Sequence, residues 1–113
     1  MKIKGIQLYQ PDVHTDYRGD LWTLWTDQFV PNGLTYNHDK VSTSRRNVIR
    51  GVHGDFKSHK LVTCLYGEIY LVVVDNRKDS PTYQQWDHII LDDKKRTQVL
   101  IPPGVGNGFC VLS

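Results

Sequence analysis

Long apolar runs are missing from this 113-residue chain. The longest, Ile69-Tyr70-Leu71-Val72-Val73-Val74, falls far short of the roughly 18 residues that span a bilayer. The N-terminus, Met1-Lys2-Ile3-Lys4-Gly5, lacks the apolar core of a secretory leader. A cytoplasmic protein with no membrane partner is the expectation. Cysteine is scarce, with two residues, Cys64 and Cys110. Both sit in apolar strand-like runs without CxxC or Cys-His spacing. They are expected to be reduced and buried rather than redox-active or metal-bound. An excess of one charge is missing too: 14 Lys and Arg face 12 Asp and Glu, a net +2. That balance argues against a nucleic-acid partner but leaves room for a small anion. Helical periodicity is nearly absent, because no window of about 11 residues holds an i, i+3, i+4, i+7 apolar stripe.

What remains is a succession of short β-rich runs punctuated by Gly, Pro, Asn and Asp. Residues 2–9 read as a weak first strand. Asp16-Tyr17-Arg18-Gly19-Asp20 reads as a turn and residues 21–25 as the strand after it. Pro31-Asn32-Gly33 signals another turn, and residues 37–44 are polar. A hairpin is predicted from residues 60–66 and 69–75 around Gly67-Glu68. Its second arm is apolar on both faces and is expected to be a central strand covered on both sides. Residues 86–91 and 97–101 form two further strands around Asp92-Asp93-Lys94-Lys95. Pro102-Pro103-Gly104 ends one strand, and Gly108-Phe109-Cys110-Val111-Leu112 begins another. Short strands at this spacing predict a single all-β domain over 1–113, an antiparallel sandwich or barrel. The sequence stops at Ser113 directly after an apolar strand. A barrel must pair its edges, so the expectation is that the natural protein continues or that a partner chain supplies the missing edge.

The chemistry concentrates in Asn47-Val48-Ile49-Arg50-Gly51-Val52-His53-Gly54-Asp55, followed by Lys60-Leu61-Val62. An apolar strand delivers an arginine and a histidine and then breaks on glycines. A neutral imidazole between fixed cations can take a proton from a carbon acid while the cations hold the anion that forms.

Several segments carry a resemblance: Asp16-Tyr17-Arg18-Gly19, Val48-Ile49-Arg50-Gly51-Val52-His53, Lys60-Leu61-Val62, Gly67-Glu68-Ile69, Val74-Asp75-Asn76-Arg77, Ser80-Pro81-Thr82, Trp86, and Ile101-Pro102-Pro103-Gly104 with Gly108-Phe109 and Val111-Leu112-Ser113. In order and wording the chain resembles the nucleotide-diphospho-4-keto-sugar 3,5-epimerases, the dTDP-4-dehydrorhamnose 3,5-epimerase-like family. RGVHGD, KLVTCLYG and PPGVGNG are nearest the branch acting on nucleotide-linked 4-keto-heptoses. The resemblance implies a cupin-type jelly-roll, usually a homodimer, with a nucleotide-diphospho-4-keto sugar in the barrel mouth and no metal or other cofactor. The residues agree on the metal: cupins that bind one need an HxH pair and a later glutamate, whereas Gly54-Asp55 follows His53.

By the same resemblance His53 is the general base, and Lys60 steadies the enolate at the ketone oxygen. Arg18 and Arg50 hold the diphosphate. Trp22 or Leu21 stands where the family has an aromatic, with a core role equally open for it. Tyr66, Tyr70 and Trp86 are read as core. Two positions depart from the pattern. Thr23 replaces a glutamate, and Asn107 replaces a histidine before Gly-Phe; an amide can bind a sugar but cannot shuttle a proton. The family's reprotonating tyrosine and the aspartate that orients the histidine correspond to positions beyond Ser113. The alternatives are a non-catalytic nucleotide-sugar-binding cupin and a sugar 3,4-ketoisomerase, the latter opposed by Gly54-Asp55 where paired histidines are expected.

Overall fold

The computed structural model describes residues 1–26, 34–35 and 39–113. The predicted turn at Pro31-Asn32-Gly33 and the start of the polar stretch at 37–44 lie outside the described residues. Nine strands and no helix occur among the described residues. None therefore offers a helix long and apolar enough to cross a membrane. The chain forms two compact units, residues 11–43 and the remainder. The smaller holds one hairpin, in which β2 (Val13–Asp16) pairs antiparallel with β3 (Gly19–Trp22) around Tyr17-Arg18.

The larger unit contains two antiparallel sheets. One has the order β1 (Gln7–Tyr9), β8 (Gln98–Ile101), β5 (Lys60–Val62). The other has the order β4 (Ile49–His53), β9 (Val105–Val111), β6 (Glu68–Asp75), β7 (Trp86–Asp92). Strand side chains alternate faces, so the register fixes which residues look inward. On β6, Leu71, Val73 and Asp75 are buried to 0%, 0% and 1% exposure. Leu71 and Val73 share one core with Val99 and Ile101 of the other sheet, together with Ile3, Leu91 and Val105. Burying a Leu or Val side chain contributes about 1.5–3 kcal/mol, so this shared core is what holds the two sheets face to face. The architecture is the all-β, antiparallel jelly-roll expected of the sequence.

Some local expectations fail. The hairpin over residues 60–75 does not form. β5 pairs with β8 and β6 pairs with β7 and β9, so the two predicted arms lie in different sheets. The connection between them is fastened at both ends to other segments. Thr63 Oγ1 donates to the Thr97 carbonyl at 3.0 Å, and the Gly67 amide donates to Asp93 Oδ2 at 2.8 Å. Buried Cys64 lies between, crossing from one sheet to the other. A Gly-Glu pair between apolar runs marks a reversal, but the burial of Cys64 decides that the chain changes sheets there.

β6 is central as predicted, yet only its inward face is fully buried; Tyr70, Val72 and Val74 are half-buried. Tyr66 is 91% and Trp86 53% exposed, so neither belongs to the core. Tyr70 stacks on His88 with ring centroids 4.9 Å apart. Cys110 falls on the same outward face and is half-buried, not buried. β1 is limited to three residues, and the strand expected at 21–25 begins earlier, at Gly19.

Candidate functional site

β4 forms one edge of its sheet and lies against β9 at unusually short range. A Cβ on Gly51 would stand 2.6 Å from Gly108 Cα and 2.9 Å from the Asn107 carbonyl oxygen. One on Gly54 would stand 2.9 Å from Gly106 Cα. Gly51 also has φ of 116°, a conformation that side chains disfavour. The two glycine contacts bracket the pair between them, His53 and Asn107, which are register partners. Here the glycines of the sequence motif serve strand-to-strand packing.

Register partners project to one face of a sheet. Asn107 in turn partners Val73, which is buried in the core, so His53 and Asn107 look inward. Arg50 partners Phe109, which partners Leu71, and stands on the same face. On the opposing sheet Lys60 partners Ile101 and Val62 partners Val99, and both apolar partners belong to the core. The half-buried Lys60 is thus on the inward face of its own sheet. His53, Asn107 and Arg50 from one sheet and Lys60 from the other are brought to the facing surfaces of the sandwich. His53 and Arg50 are exposed, so this part of the interior is open.

Asn107 Oδ1 is buried without a hydrogen-bond partner. Such a group costs about 1–3 kcal/mol, and a hydroxyl or N–H donor placed there recovers it. Arg50 Nε donates to Ser44 Oγ at 2.8 Å. Asp55, just past His53, accepts from the Lys57 and Ser58 amides at 2.8 and 2.7 Å. Those two amides, followed by the charge of Lys60, hold the Asp55 carboxyl below its ordinary range. Residues 55–58 thereby make a closed turn between the strand carrying His53 and the strand carrying Lys60. A cleft of about 240 Å³ is lined by Val52, His53, Phe56, Val74 and Gly106. Val74 and Gly106 are register partners on the outward face, so that cleft opens away from Asn107. The polar groups stand instead on the inward row. Among the described residues no three His, Cys, Asp or Glu side chains are grouped to hold a metal ion.

Arg18 and Trp22 stand on the separate β2–β3 hairpin. The Arg18 guanidinium pairs with Asp16 at 2.6 Å, and its side chain is 74% exposed. That bond raises the arginine's pKa and lowers that of Asp16. An exposed pair of this kind is weakened by solvent screening, so a phosphate can compete for the guanidinium at little cost. Trp22 is half-buried and partners Val13.

A buried charge cluster lies at the end of β6. Asp75, 1% exposed, accepts from Ser80 Oγ and Thr82 Oγ1 at 2.5 Å each and from Arg77 Nε at 2.9 Å. Burial alone would push this carboxyl up. The bonds from Arg77, Ser80 and Thr82 more than reverse that, leaving it well below the usual carboxylate range. Arg77 also donates to the Lys4 carbonyl. Asp75 at the buried end of an apolar strand, with Arg, Ser and Thr at two, five and seven residues beyond, was the available signal. Nearly fully buried carboxylates need such partners.

The chain also matches known proteins. The family model of dTDP-4-dehydrorhamnose 3,5-epimerase matches residues 1–113. The dTDP-4-dehydrorhamnose 3,5-epimerase of Salmonella typhimurium is 36% identical over 98% of this chain and 64% of its own length. Among solved structures, the dTDP-6-deoxy-D-glucose-3,5-epimerase of Legionella pneumophila, in complex with dTDP-4-keto-L-rhamnose, superposes with a TM-score of 0.93 at 32% identity. That match covers 100% of this chain and 63% of the other. A 3'-monoepimerase of Streptomyces bikiniensis, in complex with dTDP-quinovose, gives 0.87 at 28% identity over 100% of this chain and 61% of its own. The chain spans a little over three fifths of the length of these relatives.

Proposed function

Because the chain belongs to the dTDP-4-dehydrorhamnose 3,5-epimerase family, we propose that it serves the epimerisation of a nucleotide-diphospho-4-keto-6-deoxy sugar at C3, C5 or both, in the cytoplasmic synthesis of deoxysugars for surface polysaccharide. His53 takes the proton from the carbon beside the ketone. The C–H electron pair moves toward the carbonyl, the ketone oxygen becomes an enolate, and the Lys60 ammonium offsets its charge. Return of a proton to the opposite face inverts the carbon. The Asn107 amide accepts from a sugar hydroxyl and Arg50 takes the diphosphate in charge-assisted bonds. On its own hairpin, Arg18 offers a guanidinium for a phosphate and Trp22 a ring for a base. No cofactor enters these steps. A homodimer is proposed, with the outward face of the β4-β9-β6-β7 sheet at the interface; Trp86 and Ile90 there are 53% and 48% exposed.

The observation that supports this reading is the inward row: register puts His53 and Asn107 on the inward face of one sheet and Lys60 on the inward face of the other. The second reading is a nucleotide-sugar-binding protein without turnover, and Asn107, which cannot relay a proton, favours it. Solvent-deuterium incorporation decides between them. With a dTDP-4-keto-6-deoxy sugar in D2O, deuterium is expected at C3 or C5. His53→Gln is expected to lower the rate by about 10²–10⁴-fold while dTDP binding is retained. Binding without any exchange would establish the second reading.

A further inference from the structure

Between His53 and Lys60 the chain makes one short connection, residues 54–59. The Asp55 carbonyl accepts from the Gly104 amide at 2.7 Å. The Gly104 carbonyl accepts from the Asn76 amide at 2.9 Å. Gly104 thus links the connection to the end of β6. Gly104 has φ of 85°, and any Cβ on it would collide with Arg77 Cγ, so the arginine's stem lies flat on the Gly104 backbone. Arg77 is held there from both ends. Its backbone amide and Nε donate to Asp75 Oδ1 at 3.0 and 2.9 Å, and its guanidinium also reaches the Lys4 carbonyl. Ser80 and Thr82 lock the same carboxylate from the far side.

We propose that Arg77 is a positioning residue: clamped by Asp75, it fixes the Gly104 turn, and Gly104 through Asp55 fixes where His53 ends its strand and where Lys60 begins the next. The hydrogen bonds of Arg77 go to Asp75, Ser80 and Lys4, so its influence passes through Gly104 rather than through a bond to the imidazole or the ammonium. The distance between proposed base and proposed cation is then set by a buried cluster on the other side of the turn. That placement rests on the epimerase reading only where it concerns rate.

The test is Arg77→Lys in the full chain, labelled with 15N-histidine, with the His53 signal assigned by His53→Gln. Lysine keeps a positive charge beside Asp75 but lacks the planar guanidinium fork that grips the carboxylate. Exchange of the Gly104 amide is expected to speed up by about tenfold or more, while amides of Leu71 and Val73 in the β6 ladder keep their protection. The His53 ring signals are expected to move, and those of His14 and His88 to stay. Deuterium entry into the sugar should fall about 10- to 100-fold in kcat with KM unchanged. Unchanged His53 signals alongside a loosened Gly104 would overturn the proposal, as would an unchanged Gly104. If the parent protein incorporates no deuterium, the epimerase reading fails while the ring signals still decide the positioning role. Should Arg77→Lys not fold, Thr82→Val removes the bond to Asp75, and that from the Lys4 amide, at nearly constant shape. The same shifts at smaller size, reversed in Thr82→Ser, would support the clamp, and their absence would overturn it.

Discussion

Placing alanine at Gly51 tests whether backbone contact between β4 and β9 holds His53 opposite Asn107. Two costs are separable. Gly51 has φ of 116°, where a non-glycine residue carries strain of about 1–3 kcal/mol. The new methyl group would also sit 2.6 Å from Gly108 Cα, which is backbone and cannot rotate away. Forced overpacking of this kind costs about 1–3 kcal/mol. The sum, about 2–6 kcal/mol, is a large part of the 5–15 kcal/mol that typically stabilises a domain. Gly54→Ala isolates the contact cost, since its Cβ meets Gly106 Cα at 2.9 Å and its φ is ordinary. Urea denaturation followed by tryptophan fluorescence should give about 1–3 kcal/mol for Gly54→Ala and distinctly more for Gly51→Ala. Hydrogen exchange should show the Asn107 and Phe109 amides losing protection before those of β7. If both variants unfold at the parent's urea midpoint, the close approach is not what fixes the edge strand, and the register argument for the site loses its basis.

Asp75 should shape the acid limb of stability. Its pKa in the fold is depressed, so its contribution is complete above the unfolded value of about 4 and is lost as the pH falls toward the folded value. Asp75→Asn should flatten the stability profile below pH 4 by up to about 1.4 kcal/mol per pH unit, read from urea midpoints across pH; an unchanged slope would mean that other carboxylates dominate. Replacing Trp86 on the outward sheet face tests the dimer: Trp86→Glu is expected to shift light-scattering mass from two chains toward one, and an unchanged dimer would move the interface elsewhere.

The site was legible where chemistry is local. A histidine on a strand, an arginine three residues before it and a lysine seven after it are adjacent in sequence, and their charges suggest one task. Asn107 was legible as a departure from a pattern, though not as a buried acceptor. The pairing of residues 60–66 with 69–75 was misread because a turn signal says that the chain reverses, not which sheet receives it. Tyr66 and Trp86 were assigned to the core because aromatic residues usually are buried, and only coordinates reveal a face left uncovered.

By itself the sequence settled the strand content, the apolar character of β6 and the kinds of groups available, since alternation, glycine spacing and side-chain chemistry are local properties. Which sheet each strand joins, and hence that His53 and Lys60 stand on the inward faces of two different sheets, was decided by tertiary structure. So was the clamp of Asp75 and Arg77 on Gly104. The reason is that register and burial are relations between distant segments, and a carboxylate far below its usual pKa exists only once folding has brought its donors together.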